Sequence, residues 1–264
     1  MLSAIVGVAV FAVAVAMSMV GRGGGNFYVP ILVASGIAMR HAATTAQLIL
    51  VSTSVAASLV FQKHKTVDWK LAAVIDPPTD VMAFVGGLFA HKLGGFALKM
   101  VFAVLLVIAG FVMLRPIKQR ERVKAGKFGF WRRSFSGYVY TVNLWLAIPI
   151  TAATGLVAGM VGISGGSFKI PLMVLLCGVS MRIAVGTSSV MIAVTALMGF
   201  FGHAVAGDFS PGTALPLAAA AVLGGLVGGM VSVRVDQAKL KKLFAYTTLA
   251  AAGFMALNAL MSGR

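Results

Sequence analysis

Long uncharged apolar runs, separated by short polar breaks, set the pattern of this chain. Leu2 to Val20 and Ala42 to Phe61 carry no charge. Leu71 to Ala90 holds only Asp76 and Asp80, around Pro77 and Pro78, and Leu93 to Leu114 holds only Lys99. The character then changes: Arg115 to Arg133 contains eight Lys/Arg and one Glu and reads as a solvated linker. Apolar runs resume as Tyr138 to Met160, Ile183 to Gly202, Phe209 to Val233 and Leu243 to Ser262. As a helix rising 1.5 Å per residue, each run is long enough to cross about 30 Å of hydrocarbon.

Composition sharpens this picture. Hydrophobic residues make up 59% of the 264 and charged residues 11%. A soluble core must be wrapped in charge, so a soluble globular enzyme, a disordered chain and a coiled coil are all excluded. A polytopic membrane protein is what remains. The first run lacks a basic leader and reads as a span rather than a cleaved signal. Charge is lopsided, with 22 Lys+Arg against 6 Asp+Glu. In a membrane protein this reads as positive-inside anchoring of loops, combined with an anionic substrate, rather than as nucleic-acid binding. The single cysteine, Cys177, excludes a disulfide framework and reads as packing. The four histidines (His41, His64, His91, His203) form no metal motif, so neither metal nor cofactor is expected.

The chain repeats itself. Gly21-Arg22-Gly23-Gly24-Gly25-Asn26-Phe27-Tyr28-Val29-Pro30 is echoed by Gly162-Ile163-Ser164-Gly165-Gly166-Ser167-Phe168-Lys169-Ile170-Pro171 at an offset of 141. Met39-Arg40 and Thr45 align with Met181-Arg182 and Thr187, and Val85-Gly86-Gly87 with Val227-Gly228-Gly229, at 142. Ala109-Gly110-Phe111 aligns with Ala252-Gly253-Phe254 at 143. Four blocks in order define two homologous halves, 1–114 and 141–264, joined by a basic cytoplasmic linker at 115–140. If each half is a glycine-broken re-entrant hairpin followed by three spans, the second half is inverted. Sixteen basic residues then lie inside and five outside (Arg22, Arg40, Lys92, Lys99 and Arg264), with Lys169 inside the second hairpin. A parallel arrangement puts the Arg234–Lys242 cluster outside, which the positive-inside rule disfavours.

The glycine motifs carry the candidate chemistry. Clustered glycines end a helix, and unpaired backbone at membrane depth survives only where it is buried in protein or faces water. Asn26 and Ser167 read as N-caps of short helices over Phe27–Ala34 and Phe168–Leu176, whose N–H groups make anion sites. The expected substrate contacts are the backbone of Gly23, Gly24, Gly25, Gly165 and Gly166 with the side chains of Asn26, Tyr28, Ser164 and Ser167. Arg22 and Lys169 supply one cation per motif. Thr44, Thr45 and Gln47, and opposite them Thr187 and Ser188, supply donors to oxyanion oxygens, a role that competes with plain helix capping. Asp76 and Asp80 have no acidic counterparts, since Ala218 and Val222 stand at the aligned positions. Asp76 reads as part of a turn at the start of its helix, beside the two prolines. Asp80 reads as the deep, costly carboxylate and the coupling group. Asp68 and Asp208 read as solvated loop residues.

Three rivals compete with the anion site. Small residues also serve tight helix contacts. The first motif fails the dinucleotide pattern GxGxxG. Gly162-Ile163-Ser164-Gly165 with His203 has the look of an intramembrane serine protease, but the first half carries Gly23 where Ser164 would stand.

The duplicated glycine motif, the Met-Arg…Thr segment, eight apolar runs and the basic linker resemble the TauE/SafE family of sulfite and organosulfonate permeases, also called the toluenesulfonate uptake permease family. The resemblance covers nearly the whole chain. It implies a secondary transporter, not an enzyme, moving small sulfur-containing oxyanions across the cytoplasmic (inner) membrane of a bacterium or archaeon. A proton or sodium gradient driving saturable transport would mark a carrier rather than a channel. The expectation is therefore an all-α polytopic membrane protein of two inverted-topology repeats. The anion would be held between two glycine-motif helix breaks near the membrane midplane. An anion channel with the same site is the alternative.

Overall fold

Nearly every apolar run becomes helix in the computed structural model, which describes residues 2–37, 39–89, 95–114, 128–161, 166–205 and 209–262. The helices are α1 (Leu2–Met19), α2 (Gly25–Ala34), α3 (Met39–Lys63), α4 (Trp69–Phe89), α5 (Gly95–Leu114), α6 (Leu144–Val161), α7 (Gly166–Pro171), α8 (Met181–Val205), α9 (Pro211–Arg234) and α10 (Gln237–Ser262). A π-helical stretch, Leu172–Leu176, continues α7. Among the described residues, Thr44–Lys63, Met181–Phe201 and Pro211–Arg234 are long and apolar enough, by length and composition, to cross a membrane.

Two details depart from the sequence expectation of an all-α chain. The end of the basic stretch is not linker: strand β1 (Phe130–Phe135) pairs antiparallel with β2 (Tyr138–Asn143), and the next helix starts only at Leu144. The loop between the strands is Ser136-Gly137, with φ of 48° and 80°. Two positive φ values in a two-residue loop match the right-handed twist of the flanking strands, as a type I′ turn does. Second, Pro77 and Pro78 do not begin a helix but sit inside α4.

The chain forms two compact units, and neither is a sequence half. One comprises Met1–Val67 with Val185–Val235, the other Asp68–Ala184 with Asp236–Arg264. In the first unit α9 packs against both α1 and α3. Its glycines make this possible. A Cβ at Gly224 would lie 2.8 Å from Phe11 O, and one at Gly228 2.3 Å from Val15 O, both on α1. A Cβ at Gly225 would lie 2.4 Å from Thr53 O on α3, and one at Gly229 3.4 Å from Ala57 Cα. Two interleaved GxxxG patterns thus let two backbones approach one helix, the arrangement that replaces hydrophobic drive inside a bilayer. One turn beyond Gly228, Ser232 donates a hydrogen bond to Met19 O at 2.7 Å. The core of this unit includes Val10, Ala14, Leu32, Ile49, Ile192 and Ala221.

In the second unit α4 packs against α6 and α5 against α10. A Cβ at Gly155 would lie 2.4 Å from Thr79 O, so α4 and α6 also touch backbone to backbone. The strand hairpin is pinned to the start of α4 by Asp68, which is fully buried rather than solvated. Its carboxylate accepts from Arg133 Nε and Nη2, both at 2.9 Å, from the Tyr140 hydroxyl, and from the N–H groups of Lys70 and Leu71, both at 3.1 Å. The guanidinium of Arg133 also lies 5.7 Å from the Trp131 ring centroid and 5.9 Å from that of Phe135. Burial alone would raise the Asp68 pKa. The hydrogen bonds from Arg133, Tyr140 and Leu71 outweigh it and hold the carboxyl below its ordinary value. Conversely, the bond to Asp68 raises the pKa of Arg133, and burial followed by that same carboxylate raises that of Tyr140.

Candidate functional site

The first glycine motif is a wedge of bare backbone inside the first unit. α1 ends in a Schellman motif: Gly21, at φ 68°, donates to Ser18 O, and Arg22 N–H donates to Met17 O, both at 3.0 Å. Gly23 and Gly24 follow at φ 67° and 93°. Gly24 occupies the N-cap of α2 in the left-handed region, without a side-chain cap. The helix therefore begins at Gly25, so Asn26 lies inside it and is not the cap expected from sequence; its side chain lies outside the described residues. An uncapped N-terminus leaves first-turn N–H groups available to an acceptor.

α3 and α8 clasp this loop. A Cβ on Gly21 would lie 2.7 Å from Val185 O, and one on Gly23 would lie 2.4 Å from a Leu50 methyl and 2.8 Å from Ser54 Oγ. Ser188 Oγ donates to Gly21 O at 3.0 Å. Arg22 is only 4% exposed. Thr44, Thr45, Thr187 and Ser188 are all buried in the same unit. Tyr28 is buried too, and its hydroxyl meets Thr53 Oγ1 at 3.0 Å. Because Thr53 donates to Ile49 O at 2.8 Å, Tyr28 is the donor of that pair. Ser188 and Tyr28 thus have structural duties that the sequence reading did not give them. Three buried side-chain atoms on α3, Gln47 Oε1, Ser54 Oγ and Ser58 Oγ, have no hydrogen-bond partner. Ser54 was missed by sequence reasoning, although Ser52-Thr53-Ser54 is a run of three hydroxyls in the middle of an apolar span.

The second motif, in the second unit, is built differently. Ser164 and Gly165 lie outside the described residues, as does the side chain of His203, so the protease pair has no described geometry. α7 begins at Gly166, which puts Ser167 inside the helix rather than at its N-cap. Every residue from Gly166 to Pro171 is buried, and Lys169 is 1% exposed. Lys169 Nζ donates to Asp76 Oδ1. The acid that meets the second motif is thus Asp76, the eighth residue of α4, and not Asp80, which is half-buried one turn further on. At the position aligned with Lys169, Tyr28 makes only a neutral hydrogen bond, so the two motifs share a scaffold and differ in charge.

A family model described as Sulfite exporter TauE/SafE matches residues 6–255. The probable membrane transporter protein YunE of Bacillus subtilis (strain 168) is 25% identical over 230 residues, which cover 83% of this chain and 84% of that protein. No solved structure matches the chain.

Proposed function

The chain belongs to the TauE/SafE sulfite exporter family, and from that premise we propose that it is a secondary transporter of small sulfur-containing oxyanions such as sulfite or sulfonates. Membership in a family of membrane transporters accords with a non-enzymatic role and with the apolar helices. The observation that carries the site assignment is the first glycine loop. A buried Arg22, an uncapped helix N-terminus and the unpartnered Ser54 hydroxyl occur together in one unit, beside the bare, closely packed backbone of Gly21 and Gly23. A tetrahedral or pyramidal oxyanion accepts from guanidinium, hydroxyl and N–H donors alike. Gln47, Thr44, Thr45 and Thr187 add donors, and Gly166, Ser167 and Lys169 are the counterpart set in the other half. The two sequence halves cross the membrane in opposite senses, a reading supported by the charge distribution. Helix pairing supports the duplication itself, since α1 on α9 and α6 on α4 are counterparts under the repeat.

The test is a substrate panel in proteoliposomes: sulfite, sulfonates, thiosulfate, sulfate and carboxylates, with and without a pH or sodium gradient. Saturable, gradient-driven uptake of a sulfur oxyanion is expected, whereas conductance without coupling would mean a channel. Arg22→Gln should weaken sulfite binding by on the order of tenfold, the loss of one charged hydrogen bond. Wild-type affinity in a folded Arg22→Gln protein would refute the site.

A further inference from the structure

The second glycine motif holds a charge pair that its counterpart lacks. Lys169 aligns with Tyr28 at offset 141, and Asp76 with Ala218 at offset 142. Tyr28 is fully buried on a neutral hydroxyl, and Ala218 is 8% exposed with no polar side chain. Acid and base, one from each sequence half, therefore occur together in the second unit, and both are missing from the first, which holds Tyr28 and Ala218. A scaffold that packs with Tyr and Ala at these positions does not need an ion pair to form. Burying two charges is costly, so their joint presence calls for a use.

The surroundings favour a titrating role. Pro77 and Pro78 follow Asp76 directly and have no N–H, so the carbonyls of Ala73 and Val74 lose their helical donors. α4 is thus loosened where the acid sits. The groups around the pair are few. α6 has no titratable residue from Leu144 to Val161, and α7 has only Lys169. α5 has Lys99, whose side chain lies outside the described residues, and α4 itself adds Lys70 and Asp80. An ionised carboxylate here is balanced first of all by Lys169.

We propose that Asp76 is the proton-carrying group of the transport cycle and that Lys169 controls its occupancy. With no substrate, the ionised carboxylate holds the ammonium. An oxyanion reaching the second motif takes over Lys169, and Asp76, left in apolar surroundings, takes one proton from water on the open side. Release of the anion returns the ammonium to Asp76, which gives the proton up. One proton then travels with each anion, and the coupling role passes from Asp80 to Asp76. The transport cycle rests on the oxyanion reading above, whereas the pairing itself does not.

Two experiments separate them. Wild-type protein in proteoliposomes is treated with a hydrophobic carbodiimide, which modifies protonated carboxyl groups in apolar surroundings, and the peptides are read by mass spectrometry. Asp76 modification should rise several-fold with sulfite. In Lys169→Gln it should be equally high without sulfite. Modification at Asp80 instead, or Asp76 modification indifferent to Lys169→Gln, would overturn the proposal. In transport, Asp76→Asn should abolish sulfite accumulation driven by a pH gradient while counterflow persists. Loss in Asp80→Asn but not in Asp76→Asn would overturn it. The double variant Asp76→Asn/Lys169→Gln leaves no buried lone charge and guards against misfolding. It should stay monodisperse in detergent, and sulfite-dependent proton flux in it would also overturn the assignment. If no anion of the panel moves through wild-type protein, the transport reading fails, and the carbodiimide result in Lys169→Gln still decides the pair.

Discussion

Replacing Asp68 by Asn should unfasten the strand hairpin from α4. The carboxylate accepts five hydrogen bonds, two from Arg133, one from Tyr140 and two from the N–H groups of Lys70 and Leu71. An amide keeps one acceptor for the helix start but turns a donor toward Arg133 or Tyr140. Removing one partner of a buried pair costs about 3–5 kcal/mol. The Arg133 side chain is 19% exposed and can turn to water, which puts the cost near the lower end, about 3 kcal/mol. Arg133→Gln leaves Asp68 with its hydroxyl and two N–H partners and should cost about 1.5–3 kcal/mol. The double variant should cost less than the sum by about 1–3 kcal/mol, the coupling of contacting residues. Unfolding titrations in detergent read these differences, and trypsin cleavage at Arg132 reports release of the hairpin. The pH dependence has a definite sign. Since Asp68 is held below its ordinary value of 3.8, its contribution is complete above that pH and fades as pH falls through the lowered folded value. The Asn variant should lack this acid limb. Equal stability of wild type and Asp68→Asn, or strict additivity with Arg133→Gln, would refute the clamp.

Gly225→Ala should cost about 1–3 kcal/mol by overpacking, because its Cβ would meet Thr53 O at 2.4 Å, whereas Gly212→Ala, with nothing within 4 Å, should be neutral or stabilising; monodispersity and melting in detergent distinguish them. Tyr28→Phe should cost about 0.5–1.5 kcal/mol, since Thr53 keeps its bond to Ile49 O, and a larger loss would mean that Tyr28 does more than bond Thr53. Cysteines placed singly at Lys65, Lys124 and Lys241, in a Cys177→Ala background, should all be labelled only from the cytoplasm; labelling of position 241 from outside would reject the inverted arrangement.

Apolar spans and glycine breaks were legible because both are local: a run of uncharged residues and a cluster lacking Cβ atoms act within a few residues. The strand hairpin, Phe130 to Asn143 around Ser136-Gly137, was missed, because its arginines merge with a basic stretch and its tyrosines and valines with the next apolar run. The starts of α2 and α7 were misread because a polar residue was taken as the cap, while a glycine in the left-handed region does that work for α2. Asp68 and Asp76 were beyond local reading. Their partners lie 65 and 93 residues away, and only folding reveals which carboxylate meets which cation.

The repeat explains which residues can carry function. Ala14 on α1 touches Gly224 on α9, and its counterpart Gly155 on α6 touches Thr79 on α4. At both contacts helices meet with less than a side chain between them, so these positions are restricted to small residues by space alone. Their likeness between halves therefore needs no chemical reason. Tyr28 and Lys169 are under no such restriction in kind: both are large and buried, and each needs one polar partner, but the partner is neutral in the first unit and charged in the second. Packing holds the two halves alike, and the polar side chains on that shared frame are free to diverge. A difference in charge at matched positions is thus a better guide to transport chemistry than the shared glycines, which would be required even of an inert helical scaffold.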